Sequence, residues 1–253
     1  MNSYANEFQI RKDICTIGQK LYDKEFVAAN DGNISVKIND HQLIVTPTGV
    51  SKGDMSPDSL VKMDLDGTVI SSKTRPSSEV KMHIRAYQLN PAIKAVVHAH
   101  PPLSTAFAVA RIPLNKPILA EAVVNLGVVP VSDYALPGTD GVPNSIESFV
   151  KDYNALLLAN HGLLTWGEDL TQAYFRMESV EHYCKILYYL NQIGSPKEFN
   201  CGEIEELINI RKKIGINSGG IPPCEVAEEQ DNDQKEKEQL VNEITSRVIN
   251  QLR

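Results

Sequence analysis

The chain has 253 residues, 42% of them hydrophobic, and a formal net charge of -7. That is enough apolar material for one sizeable core with a tail left over. The acidic balance, without a basic stripe interleaved with aromatics, argues against nucleic-acid binding, and no apolar run approaches membrane-spanning length.

In chain order, the first expected element is an amphipathic helix over residues 8–28, where Ile10, Ile14, Ile17, Leu21 and Val27 recur near helical spacing. The polar residues 1–7 before it lack the apolar region of a secretory signal, so a cytoplasmic protein is expected. Asn30-Asp31-Gly32-Asn33 reads as a turn, followed by strands at 34–38 and 42–46. Asp64-Leu65-Asp66-Gly67 marks a hairpin between 60–63 and 68–70. A helix is expected from Ser78, which can cap it, to Leu89, with Pro91 as the stop. A strand at 95–98, a helix begun by Pro101-Pro102, and strands near 122–124 and 128–131 come next. After the loop Tyr134-Ala135-Leu136-Pro137-Gly138-Thr139, a short helix, a strand closed by His161, a strand at 163–166 and helices at about 170–192 and 203–214 complete the core. Strands clustered among helices favour a mixed α/β sandwich over a regularly alternating, doubly wound fold. The four cysteines, Cys15, Cys184, Cys201 and Cys224, form no CxxC pair and read as reduced thiols.

The strongest chemical signal is His98-Ala99-His100, at the end of the apolar run Ala95-Val96-Val97. Residues two apart on a strand point the same way, so both imidazoles aim at one spot. A third histidine, His161, closes another apolar strand just before Gly162, and Glu79 lies upstream in Pro76-Ser77-Ser78-Glu79. Three histidines and a carboxylate suit Zn²⁺ or a similar divalent ion with a position open for substrate. Glu79 is then a candidate to shuttle a proton at a carbon beside a metal-polarised carbonyl. Gly32-Asn33, Thr46-Pro47-Thr48-Gly49 and Pro76-Ser77-Ser78 share small residues, exposed amides and side-chain donors, the composition of a neutral phosphate cradle, with Ser77 and Ser78 at a helix start. Lys52 adds charge beside it or is a solvated surface lysine.

In that order along the chain, Gly32-Asn33-Ile34-Ser35, Thr46-Pro47-Thr48-Gly49, Pro76-Ser77-Ser78-Glu79, His98-Ala99-His100-Pro101 and Asn160-His161-Gly162 resemble the class II aldolase/adducin family over roughly residues 6–215. The resemblance implies a three-layer sandwich, its central mixed and mostly antiparallel sheet flanked by helices, and a homotetramer with active sites between subunits. It implies Zn²⁺, with Mn²⁺ or Co²⁺ as alternatives, on His98, His100 and His161. It implies Glu79 as the acid/base and a substrate phosphate held by Asn33, Thr48, Gly49, Ser77 and Ser78. Tyr134 matches a tyrosine that reaches a neighbouring subunit's site and helps protonate the product. The implied reaction is cleavage of a ketose 1-phosphate, L-fuculose 1-phosphate first, to dihydroxyacetone phosphate and lactaldehyde. Ile214 stands where a site-closing tyrosine is expected, which bears on the choice of substrate. Sugar-phosphate 4-epimerases and dehydratases of the family are rival readings, although the epimerases more often have Asp at the position of Glu79. A non-enzymatic, adducin-like binding module is a third.

Beyond the aldolase-like domain at residues 1–220, residues 221–239 read as a flexible acidic linker. Residues 240–253 read as an amphipathic helix, with Leu240, Val241, Ile244, Val248, Ile249 and Leu252 on one face. That pattern resembles the encapsulation peptides of bacterial microcompartment enzymes, implying shell proteins or co-cargo as partners. A helix packed on its own tetramer is the alternative.

Overall fold

The computed structural model describes residues 6–224. In chain order the elements are α1 (Glu7–Asp23), β1 (Asn33–Lys37), β2 (Gln42–Val45), β3 (Val61–Asp64), β4 (Val69–Ser71), α2 (Val80–Leu89), β5 (Ala95–Ala99), α3 (Pro102–Ala110), α4 (Ala120–Asn125), α5 (Gly141–Ser145), β6 (Ala155–Leu158), β7 (Gly162–Gly167), α6 (Leu170–Ile193) and α7 (Cys201–Lys213). The strands form one sheet in the order β4-β3-β2-β1-β5-β7-β6, and every neighbouring pair is antiparallel.

Strand alternation sorts the apolar residues into two cores. Ile34, Val36, Ala95, Val97, Ala99, Leu157 and Leu163 pack with Ile14 of α1 and Tyr174, Met177 and Val180 of α6. Leu43, Val45, Val96, Leu156, Leu164 and Trp166 pack with Met82 and Ala86 of α2 and Val142 of α5. The result is a helix–sheet–helix sandwich. No helix among the described residues is long and apolar enough to cross a membrane.

Several boundaries differ from the sequence reading. α1 stops at Asp23 because Glu25 turns left-handed (φ 59), with Glu25 N–H bonded to Tyr22 O (3.0 Å) and Phe26 N–H to Leu21 O (2.9 Å). These are the two bonds of a Schellman cap. Phe26 and Val27 still reach the core, outside the helix. Ser78 does not cap α2; Ser77 stands in its place, accepting from Glu79 N–H through Oγ (3.3 Å) and from Val80 N–H through its carbonyl (3.2 Å). The strand expected at 122–124 is helical, in α4. Its β-branched Val123 packs on Ile204 and Ile208 of α7 while Ala122 faces the main core, and that packing overrides strand propensity. Residues 128–131 make only isolated bridges, Val129 with Leu114 and, in parallel, Val131 with Leu157.

Cys201 and Cys224 form a disulfide with Cα atoms 5.4 Å apart, which corrects the reading of all four cysteines as reduced; Cys15 and Cys184 are thiols. The pairing arises because the chain doubles back after α7. Buried Arg211 holds that return, donating from Nε to Val123 O (3.0 Å) and from Nη1 to Gly220 O (2.5 Å). Most of the linker expected at 221–239 and all of the helix at 240–253 lie outside the described residues.

α3 follows directly on His100, so its anchoring bears on the site. Its N-cap position is Pro101, which has no side-chain acceptor. Buried Glu181 of α6 takes over, accepting from Leu103 N–H (3.0 Å), Ser104 N–H (2.8 Å) and Ser104 Oγ–H (2.6 Å). Glu181→Ala strands these donors, and the expected loss of stability in urea unfolding is about 2–4 kcal/mol. A loss under about 0.5 kcal/mol, the size of an ordinary surface substitution, contradicts this assignment.

Candidate metal centre and active site

Strand register assembles the centre. Asn33 of β1 stands opposite His98 of β5, and His98 stands opposite Leu164 of β7. His161 lies in the β6–β7 turn, where Asn160 adopts a left-handed φ of 54°. Gly162 is required by close packing: a Cβ there would lie 2.5 Å from His100 Cδ2 and 2.6 Å from Ala99 O. Gly32 is left-handed (φ 74°) and also tightly placed, its would-be Cβ 2.8 Å from His98 O. The glycines flanking His161 and Asn33 thus let backbone approach the histidines.

The three imidazoles converge. Ring centroids are 4.9 Å apart for His98–His100, 4.6 Å for His98–His161 and 5.1 Å for His100–His161, and one ligand nitrogen from each lies within 4.8 Å of the others. Glu79 joins them: Oε1 is 3.0 Å from His161 Nε2, Oε2 is 3.5 Å from His98 Nε2, and Oε2 accepts from Asn33 Nδ2 at 2.7 Å.

The proton inventory favours a cation here. His98 Nδ1 is 3.0 Å from Leu163 O, and a carbonyl only accepts, so Nδ1 carries the proton. Burial pushes His98 well below the usual histidine range despite the Glu79 carboxylate, so the ring is neutral and Nε2 is a bare lone pair. His100 Nδ1 faces Asp31 Oδ2 at 3.4 Å, and burial followed by neighbouring His161 lowers this ring as well. Two Nε2 lone pairs therefore face each other at 3.1 Å. Nitrogens about 2.05 Å from a tetrahedral ion are about 3.3 Å apart, so the residues present fit a bound divalent metal. Leu163 O and Asp31 fix the ring tautomers, as outer partners of metal ligands do. Burial opposes ionisation of Glu79, while the hydrogen bonds from His161 and Asn33 favour it. The carboxyl sits well below the usual carboxylate range.

The cradle loops also meet. Thr48 N–H bonds to Arg75 O (3.0 Å) and Ser77 N–H to Thr46 O (3.2 Å), which leaves the amides of Gly49 and Ser78 without a backbone partner. Gly49, left-handed at φ 73°, has open space at its Cβ position, and Thr48 and Ser78 are exposed. Asn33 is different: its amide nitrogen is engaged by Glu79. Tyr134 is not folded into the cluster; it is 57% exposed on its loop, and Ile214, just past α7, is equally exposed.

Sequence reasoning missed one residue and left another between two readings. Asp31 was hidden in a segment legible only as a turn. Lys52 is not a surface lysine: it is 1% exposed and donates from Nζ to Asn30 O (3.0 Å) and Val50 O (2.9 Å), tying the two loops together. Burial draws its ammonium down to about 8, against the pull of Asp31 and Glu79.

Residues 12–188 match the family model described as "Class II Aldolase and Adducin N-terminal domain". The chain is 32% identical over 212 residues to the 3-oxo-tetronate 4-phosphate decarboxylase of Escherichia coli strain K12, covering 82% of this chain and 99% of that protein. It is 34% identical over 179 residues to the L-fuculose phosphate aldolase of Methanocaldococcus jannaschii, covering 70% and 94%. Among solved structures, an L-fuculose 1-phosphate aldolase superimposes with a TM-score of 0.76 at 28% identity, covering 83% of this chain and 100% of that one. The chain belongs to the class II aldolase and adducin family, as an enzyme of its lyase and decarboxylase type.

Proposed function

We propose that this protein is a divalent-metal aldolase that cleaves a ketose 1-phosphate, L-fuculose 1-phosphate first among candidates, to dihydroxyacetone phosphate and lactaldehyde. The observation that carries the reading is the approach of His98 Nε2 and His100 Nε2 to 3.1 Å, with His161 and the Glu79 carboxylate at the same spot. His98, His100 and His161 hold the metal, Zn²⁺ or else Mn²⁺ or Co²⁺, which when bound supplies a Lewis acid for the substrate carbonyl. Thr48, Gly49, Ser77 and Ser78 cradle the phosphate, using hydroxyls and the unpartnered amides of Gly49 and Ser78, and Asn33 lines the cradle with its Nδ2 kept on Glu79.

When the bond between the third and fourth carbons breaks, its electron pair stays on the third, next to the carbonyl. Glu79 moves the proton at that carbon, giving dihydroxyacetone phosphate. The departing aldehyde forms as its hydroxyl loses a proton by way of Tyr134, which its exposure leaves free to reach a neighbouring subunit's site in a homotetramer; that proton replaces the one delivered to the third carbon, so Glu79 ends the cycle ionised. For the tail at 240–253 we retain docking to microcompartment shell proteins.

A second reading is favoured by the match over 99% of the length of the 3-oxo-tetronate 4-phosphate decarboxylase. Loss of CO2 from a 3-oxo-tetronate 4-phosphate leaves the same electron pair on the same three-carbon phosphate, and needs no base on a departing hydroxyl. The test presents each compound separately and measures dihydroxyacetone phosphate with and without chelator. Chelator-sensitive release from L-fuculose 1-phosphate is the expected result. Release from the 3-oxo acid alone replaces the aldolase reading with the second, and release from neither overturns both.

A further inference from the structure

Beneath the centre runs a polar seam between β1 and α2 that the chemistry above does not use. Ser35 Oγ lies 2.7 Å from His83 Nδ1 and 2.7 Å from Tyr87 Oη, and Tyr87 Oη–H donates to Ser35 O at 3.0 Å. Ser35 and His83 are fully buried and Tyr87 is 3% exposed. The seam continues the contact that holds Glu79, since Asn33 Nδ2 donates to Glu79 Oε2 at 2.7 Å. Asn33 and Ser35 are two apart on a strand, about 6.8 Å. Glu79, His83 and Tyr87 are four apart along the helix line, about 6 Å per step. The two periods match, so Asn33 meets Glu79 where Ser35 meets His83.

We propose that His83 is a positioning residue for Glu79: through Ser35 and Tyr87 it fixes the register of α2 on β1 that puts the Glu79 carboxylate on Asn33 and at the three histidines. The donor assignment is closed. Tyr87 gives its proton to Ser35 O, so Ser35 Oγ–H turns to the Tyr87 oxygen, and Ser35 Oγ accepts from His83 Nδ1–H. An apolar side chain at 83 would leave Ser35 Oγ without that donor and remove the specificity of the register. Burial pushes His83 down to about 4, which keeps it neutral at neutral pH. His83 Nε2 and Asn33 Oδ1 are buried without a protein partner, so nothing on the far side of either group substitutes for the seam.

The proposal rests on Glu79 as the proton-transfer group, and its test separates the two. The readout is deuterium exchange into the hydroxymethyl carbon of dihydroxyacetone phosphate in D2O, a Glu79 step shared by the aldolase and decarboxylase readings. It is measured per metal-loaded, folded full-length chain. His83→Leu is expected to lower maximal exchange about 10- to 100-fold, the cost of a small misplacement, with little change in KM. His83→Asn, whose amide can donate as Nδ1–H does, restores much of the rate. Tyr87→Phe keeps the fold if His83→Leu does not, and moves the rate the same way by a smaller factor. In a Glu79→Gln background His83→Leu should cost nothing further, because both act through one group. Unchanged exchange in His83→Leu and Tyr87→Phe, or an equal fall in the Glu79→Gln background, overturns the proposal. Full exchange by Glu79→Gln alone overturns the role of Glu79 instead. Positioning is then decided by the crystal structure of His83→Leu: a Glu79 displaced from Asn33 supports it, and one still hydrogen-bonded overturns it.

Discussion

Glu79→Gln is expected to lower proton exchange and carbon–carbon cleavage by about 10²- to 10⁴-fold, the range for loss of a general acid–base group, while the protein keeps its fold and its metal. The substitution is nearly isosteric, and its amide oxygen can still accept from Asn33 Nδ2, so the bond between β1 and the start of α2 survives. What disappears is a carboxylate able to take and return a proton beside His161 and His98. An ionised Glu79 takes the proton from the hydroxymethyl carbon in exchange and, once protonated, returns it to that carbon in cleavage, a role that glutamine cannot take. Metal content by elemental analysis and the rate measured on the same sample separate the outcomes. A variant with full metal and near wild-type turnover contradicts the assignment.

Loss of a histidine should act on the metal first. His98→Ala is expected to weaken metal affinity by more than the roughly 10- to 100-fold that a lost outer partner costs, and to lower turnover in proportion to occupancy. His98 is fully buried, and Leu163 O holds its Nδ1 so that Nε2 faces the other rings. Removing it also empties a buried polar site, so competition with a chromophoric chelator is read together with a thermal melt. Asp31→Ala is the matched control. Asp31 is an outer partner of His100 at 3.4 Å, so its loss should fall within the 10- to 100-fold range. Equal effects from the two variants would contradict the division into ligand and support.

Much of this centre was legible in the sequence because it follows from strand parity. His98 and His100 share a face for the same reason that Val97 and Ala99 share the opposite one, and the structure keeps both sets apart. The pairing of His161 with Gly162 also carried information, since only glycine fits beside the His100 ring. The contact of Asn33 with Glu79 was not legible: it depends on the register of a helix on a strand, which no local pattern states. The seam of Ser35, His83 and Tyr87 was hidden likewise, as was Lys52, whose stem burrows under the 30–33 turn. α4 was misread because two valines imitate a strand where α7 supplies a partner for a helix. The Cys201–Cys224 disulfide depends on the chain turning back after α7, a fold-level event.

The most direct measurement is a titration of chelator-stripped protein with Zn²⁺, following dihydroxyacetone phosphate released from L-fuculose 1-phosphate. Three histidines at one centre predict negligible release from the stripped protein, a linear rise and a plateau at one metal per chain. Release at full rate from stripped protein, or a plateau unaffected by His98→Ala, would contradict the assignment of the metal to His98, His100 and His161.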